Sequence, residues 1–232
     1  KYIIRGLQGK LRIGMSEQTV LKALSMAFSM TSPTVLDRRV GISAEKFTAM
    51  KEANEINLKQ AFSEIPSFTA IVPGLLKAGC EGINEICNLT AGIPVKPMLA
   101  KPTKGVSEVL DRFEGLDFTC EFKYDGERGQ VHLLEDGTVK VFSRNMENNT
   151  SKYPDVIDML PKALKPGKVT SCIMDSEIVA YDCEKKILMP FQSLSTRSKK
   201  DTKKEDIKIQ VIMTAFDLLY LNGESLLQKP LS

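Results

Sequence analysis

Glu121-Phe122-Lys123-Tyr124-Asp125-Gly126-Glu127-Arg128 decides the reading of this chain, because it sets one lysine between an alternating apolar run and a glycine turn. Phe118, Cys120 and Phe122 alternate with Thr119, Glu121 and Lys123. That is the period of a half-buried strand, and it predicts Glu121 and Lys123 side by side on the open face. Asp125-Gly126 predicts the turn that ends the strand. An amine that is desolvated or crowded by other cations loses basicity, and its neutral form attacks an electrophile such as a nucleotide phosphate. A surface lysine before a hairpin is the plainer reading of Lys-x-Asp-Gly taken alone, so the neighbouring segments decide.

Those segments agree. Val131 to Leu134 and Thr138 to Phe142 alternate around Asp136-Gly137, which predicts a hairpin that delivers Arg144, a fixed cation, just past its second strand. Ile173 to Tyr181 reads as a strand with Asp175 and Glu177 on one face, a carboxylate pair that suits a metal or a ribose. Val211 to Leu221 reads as an apolar strand with Phe216 and Asp217 at its centre. The Phe216 ring suits stacking on a base, with core packing as the alternative.

Composition narrows the class independently. With 232 residues, 42% hydrophobic and 26% charged, the chain has enough apolar mass for one large or two ordinary domains. No apolar run approaches the ~20 residues of a membrane span, and the N-terminus lacks the ordered regions of a secretory signal. Cys80, Cys87, Cys120, Cys172 and Cys183 are odd in number and form no Cys-x-x-Cys pair, which predicts reduced thiols. His132, the only histidine, sits mid-hairpin and reads as structural. Charge is uneven: residues 1–90 hold 11 Lys and Arg against 8 Asp and Glu, whereas residues 91–232 balance at 21 of each. The excess concentrates where Lys1, Arg5, Lys10 and Arg12 precede the first acid, Glu17, around a turn flanked by Gly9 and Gly14. Such a turn suits phosphate contact, against the alternative of a solvated loop.

The periodicity predicts an α+β chain that changes character near residue 90. Ser16 caps a helix with the stripe Leu21, Leu24 and Phe28; Ser43 opens a second helix through about Phe62; a third covers roughly Thr69 to Ala78. Residues 1–90 are thus all-helical. Leu89 to Pro94 has a hinge's composition, Val106 to Phe113 reads as a short helix, and residues 91–232 carry a mixed or antiparallel sheet. Arg197 to Asp206 reads as a charged, mobile, solvated loop.

Taken in order, the pieces resemble the nucleotidyltransferase superfamily, in particular the eukaryotic ATP-dependent DNA ligases of the replicative, DNA ligase I-like branch. The resemblance rests on Gly9 to Gly14 with Glu17-Gln18, Gly92 to Ala100, Lys123 to Arg128, Phe142 to Asn145 running on to Thr150, and Pro190-Phe191-Gln192. The continuation Asn145-Met146-Glu147-Asn148-Asn149-Thr150 separates this branch from the DNA ligase III and IV families. The resemblance implies a partial helical DNA-binding domain over 1–90 and a partial adenylation domain over 91–232. It further implies that ATP, with Mg²⁺, adenylates Lys123, and that Glu121 contacts the adenine. Arg128 and Arg144 then hold ribose or phosphates, Glu177 contacts ribose or Mg²⁺, and Phe216 stacks on the base. Lys10, Arg12 and Phe191 contact nicked duplex DNA. A monomeric nuclear enzyme follows, with a sliding clamp as a possible partner through regions outside this chain. The first residue, Lys1, and the last, Ser232, read as the bounds of an internal piece of a longer ligase.

Two other classes share part of this pattern. An mRNA-capping guanylyltransferase uses Lys-x-Asp-Gly with GTP but lacks the basic helical region before the lysine, and a non-catalytic DNA-binding module would keep the basic turn alone. On the ligase reading, Lys10→Ala with Arg12→Ala weakens DNA binding without sequence preference. It also flattens the salt dependence of log K by about one to two units, because that many counterions are no longer released. Binding titrations over a salt series measure this, and an unchanged slope assigns the turn to the solvated-loop reading.

Overall fold

Ser16 starts the first helix as its side chain predicts: the hydroxyl accepts from the Thr19 amide at 3.2 Å and caps α1 (Glu17–Met30). Ser43 does the same for α2 (Ala44–Glu64), accepting from Lys46 at 3.3 Å. Helices α3 (Phe68–Ala78) and α4 (Ile83–Ile86) follow. The computed structural model describes residues 15–32, 35, 37–197, 207 and 209–231. The Gly9 to Gly14 turn, with Lys10 and Arg12, therefore lies outside the described residues, as does the charged run from Ser198 to Asp206. Among the described residues up to Leu89 every regular element is helical. The most buried line of α1 is Leu21, Ser25 and Ser29, and the expected Leu24 and Phe28 are only half-buried beside it. The reason is Asn54 of α2, itself buried, whose amide donates to Ser29 Oγ at 2.9 Å; small hydroxyl side chains leave room for it.

The chain divides into two compact units between Leu89 and Thr90. In the second, α5 (Val106–Arg112) precedes a sheet built from β1 (Glu127–Leu133), β2 (Val139–Phe142), β3 (Cys172–Asp182), β4 (Ile187–Leu188), β5 (Gln210–Leu221) and β6 (Glu224–Ser225). Its order is β2-β1-β3-β5-β6 with β4 on β3, and every pairing is antiparallel. Helices α6 (Pro154–Ala163) and α7 (Phe191–Ser195) complete the unit. The predicted hairpin is β1–β2, closed by Asp136-Gly137, with Thr138 N–H donating to Asp136 Oδ1 at 2.8 Å.

Side-chain alternation gives the sheet two unlike faces. Val131, Leu133, Val139, Val141, Ile178 and Ala180 join Tyr153, Val156 and Leu160 from the α6 side in one core. The opposite face of β1 carries Arg128, Gln130 and His132, with Glu177 directly across from Arg128 and Asp175 from Gln130.

Two expectations are corrected. The lysine motif does not end a strand: residues 117–125 have no regular structure, and Phe118 (45% exposed) and Phe122 (90%) are not a buried face. Both sides of β1 are occupied by β2 and β3, and β3 is flanked by β1 and β5, so the segment finds no ladder among the described strands. Gly126 instead leads straight into β1. Arg197 is not a solvated loop residue either: it is buried, donates to Asp155 at 2.7 Å, and lies over the Tyr153 ring at 5.1 Å.

His132 is structural, as expected. Its Nδ1 accepts from the Gly92 amide at 2.9 Å, which leaves the proton on Nε2, 3.0 Å from Gln130 Oε1. Burial, helped by the nearby Lys140 charge, pushes the imidazole down to about 3. The unfolded chain therefore binds a proton below about 6.5 that the folded chain refuses until about 3, so His132 stabilises fully above pH 6.5 and loses its contribution as pH falls toward 3. Each pH unit inside that window costs up to about 1.4 kcal/mol. Denaturant titrations between pH 4 and 7 should show a shallower dependence in His132→Gln than in the parent; equal slopes would contradict the buried neutral imidazole.

Candidate active site

Gly126 places the lysine turn by having no side chain. A Cβ at this position would lie 2.4 Å from the Ile178 carbonyl oxygen and 3.0 Å from Glu177 Cγ, so the turn packs directly on the β3 backbone. The Gly126 N–H donates to Glu177 Oε1 at 3.2 Å, joining the turn to one carboxylate of the polar face.

Above this contact opens a cleft of about 490 Å³, lined by Cys120 to Tyr124 on one side and by Glu177, Thr214, Ala215 and Phe216 on the other. It brings Glu121, Lys123, Glu177 and Phe216 together. Lys123 is exposed at the cleft rather than desolvated. Burial raises the Glu177 carboxyl above its ordinary value, against the Gly126 N–H and the Lys123 and Arg128 charges, which pull it down; Asp125 adds to the rise.

Phe216 reaches the cleft through a β-bulge. Ser176 pairs with Ala215 and Asp175 with Asp217, so Phe216 is an extra residue in β5 with no partner on β3. Its ring is 39% exposed, and the Arg128 guanidinium carbon lies 6.0 Å from the ring centroid. Arg128 is held by Asp175 through Nε at 3.3 Å and through Nη2. This corrects the reading of Asp175 and Glu177 as a matched pair: Asp175 is buried and engaged by Arg128, so of the two only Glu177 lines the cleft.

Arg144 is exposed in the turn after β2 and is not among the cleft-lining residues. Ser143 organises that turn, its Oγ accepting from the Asn145 and Glu147 amides at 3.2 Å each. The continuation Asn145 to Thr150 anchors on the core side instead: Asn149 donates to Glu127 Oε1 at 2.9 Å, and Lys152 and Tyr153 hold the other oxygen. Phe191, at the start of α7, is 39% exposed, and its amide meets Asp125 Oδ2 at 3.4 Å, so it neighbours the lysine turn. Cys120 and Thr214 also line the cleft with no motif in the sequence to mark them, and the i, i+2 spacing of Arg128, Gln130 and His132 is the sequence signal for Gln130 on the polar face beside it. Among the described residues no group of three His, Cys, Asp or Glu is placed to hold a metal by itself.

A lysine, two carboxylates and an aromatic ring around one cleft beside a polar sheet face can hold a nucleotide and present an amine to it. Residues 97–232 match the model of the ATP dependent DNA ligase domain. The chain belongs to the ATP-dependent DNA ligase family. Within it, the chain is similar to DNA ligase 1 of Arabidopsis thaliana (48% identity over 99% of this chain and 28% of that protein) and of Dictyostelium discoideum (46%, over 99% and 20%). DNA ligase 1 of Drosophila melanogaster is 46% identical over 100% of this chain and 31% of its own. The chain thus spans about a fifth to a third of the relatives it matches.

The Gly126 contact generates a direct test. Gly126→Ala sets a methyl against backbone atoms that cannot yield, and should cost about 1–3 kcal/mol in denaturant unfolding. Gly105→Ala, with nothing within 4 Å of the added carbon and no positive φ, should stay within about 0.5 kcal/mol of the parent. Equal effects of the two would refute the packing assignment.

Proposed function

We propose that this chain carries the nucleotide-binding core of an ATP-dependent DNA ligase that seals nicks in duplex DNA through a lysine–AMP intermediate, in replication and repair. Residues 1–90 belong on this reading to a helical DNA-binding domain and residues 91–232 to the adenylation domain. The observation that carries it is the cleft on the family-matched segment, where Glu121, Lys123, Glu177 and Phe216 meet.

The chemistry follows from that grouping. Lys123 Nζ, once neutral, attacks the α-phosphorus of ATP; an N–P bond forms, the bond to the bridging oxygen breaks, and pyrophosphate leaves. The AMP then passes to the 5′-phosphate at a nick, and the 3′-hydroxyl displaces it to close the strand. Exposure of Lys123 lets a phosphate reach it, and the side chains around it position the nucleotide and balance its charge. Phe216 supplies a stacking face for the adenine and Glu121 contacts its edge. Arg128, fixed by Asp175, meets ribose or phosphate, and Arg144 joins it from the turn after β2. Phe191, exposed beside the lysine turn, contacts the DNA near the nick, while Lys10 and Arg12 grip its backbone.

Magnesium prefers hard oxygen donors, one or two carboxylates with water and phosphate completing its shell. Glu177, a cleft-lining carboxylate fixed on β3, fits that demand, and the ion would neutralise charge on the phosphates. On this reading the enzyme is nuclear and monomeric, acts on nicked DNA, and has a sliding clamp as a possible partner; its likeness to the eukaryotic DNA ligase 1 proteins supports the nuclear address and the DNA substrate. No described helix is long and apolar enough to cross a membrane.

Lys123→Arg tests the reading in the complete protein. Arginine keeps the positive charge and cannot become neutral near pH 7, so no covalent AMP should form, whereas the parent should gain the mass of one AMP on incubation with ATP and none from GTP. Intact-protein mass spectrometry reads both, and an AMP adduct on the arginine variant would remove Lys123 from its role.

A further inference from the structure

Gln130 is buried at 4% exposure, and every hydrogen-bonding direction of its amide is in use. Oε1 accepts from the Val95 amide at 2.7 Å and from His132 Nε2 at 3.0 Å; Nε2 donates to the Val95 carbonyl at 3.3 Å and to Asp175 Oδ1 at 3.2 Å. The amide has one workable orientation, since the flipped form would set its NH₂ against the Val95 N–H. Each partner leads further. His132 holds the Gly92 amide, and Asp175 holds Arg128, whose guanidinium lies beside the Phe216 ring at the cleft. A connected polar path therefore runs from the Gly92 to Val95 segment, just past the boundary between the two units, to the Arg128 guanidinium beside Phe216, whose ring lines the cleft.

We infer that Gln130 is a positioning residue for the nucleotide, acting through Asp175 on Arg128 and tying that pair to the Gly92 to Val95 segment. Asp175 Oδ1 receives both the Gln130 amide and Arg128 Nε, so the Gln130 contact sets the plane in which the carboxylate meets the guanidinium. Without it Asp175 is free to rotate and Arg128 loses its fixed aim. A buried glutamine that only satisfies the Val95 backbone would contribute to stability and leave nucleotide affinity alone. The third bond, to Asp175, is what separates the two roles.

The inference rests on the adenylation reading, and the experiment keeps the two apart. In the complete protein, self-adenylation is followed over an ATP series for the parent, Gln130→Met, Gln130→Glu, Arg128→Lys and the double variant Gln130→Met with Arg128→Lys. Parent protein that forms no AMP adduct would remove the function, not merely this residue's part in it. With an active parent, Gln130→Met should raise the KM for ATP about tenfold, as expected for loss of a hydrogen bond to a charged group. The fraction of molecules adenylated at saturating ATP should stay near that of the parent. Gln130→Glu keeps an acceptor for the Val95 amide and His132 but loses the donors to the Val95 carbonyl and to Asp175 and sets a second carboxylate beside Asp175, so it should raise KM at least as much, and it carries the measurement if the Met variant does not fold. In the double variant the two increases should not multiply, because both act through one guanidinium. An unchanged KM with lowered thermal stability, or increases that multiply, would overturn the inference.

Discussion

The antiparallel register of β1 on β3 is the constraint on which the site depends. It sets Arg128 opposite Glu177 and Gln130 opposite Asp175, so the polar residues of two strands share one face while Val131, Ile178 and Ala180 share the other. A shift of one residue would exchange the faces, burying the charges and exposing the core. Burial of the apolar face against α6 and α7 fixes the register, and the polar face is held to it as a consequence. Hydrophobic packing on one side thereby orients charged groups on the other.

Two buried polar systems sit on this frame. On the polar face, Gly92, Val95, Gln130, His132, Asp175 and Arg128 form a connected set that ends with the guanidinium beside the Phe216 ring. On the core side, the Glu127 carboxylate collects Asn149, Lys152 and Tyr153, and Arg197 pairs with Asp155 above the Tyr153 ring. Burial and the Glu127 charge both raise the Tyr153 phenol, so it remains a neutral donor. Buried ion pairs of this kind contribute little net stability after desolvation, and removing one partner is expensive. Their effect here is geometric: Glu127 and Arg128 are neighbours in sequence, anchored on opposite faces, and so fix the strand start that follows the lysine turn.

The lysine itself is not held by that scaffold. Lys123 lies in an irregular, exposed stretch whose described anchors are the tight seat of Gly126 on Ile178, the Gly126 bond to Glu177, and the Asp125 contact with the Phe191 amide. Exposure suits an amine that must meet a phosphate on ATP. The nearby arginines are held elsewhere, Arg128 by Asp175 on the sheet and Arg144 on the separate turn after β2.

Local chemistry determined much of this from the sequence alone. Ser16 and Ser43 capped their helices, Asp136-Gly137 closed its hairpin, and the apolar periods of Ile173 to Tyr181 and Val211 to Leu221 became the central strands Cys172–Asp182 and Gln210–Leu221, because each signal acts within a few residues of itself. Lys123, Glu121, Glu177 and Phe216, singled out by pattern and by family resemblance, line one cleft. What only the tertiary structure decided depends on partners far apart in the chain. The alternation at Phe118 to Phe122 promised a strand that no neighbouring edge receives, and Arg197 in a charged run was drawn inward by Asp155, 42 residues away. Asp175 looked like a second metal carboxylate until its pairing with Arg128, 47 residues away, claimed it. The bulge that aims Phe216 exists only in the register between β3 and β5. Periodicity states which face a side chain takes; which group waits on that face is settled by long-range pairing.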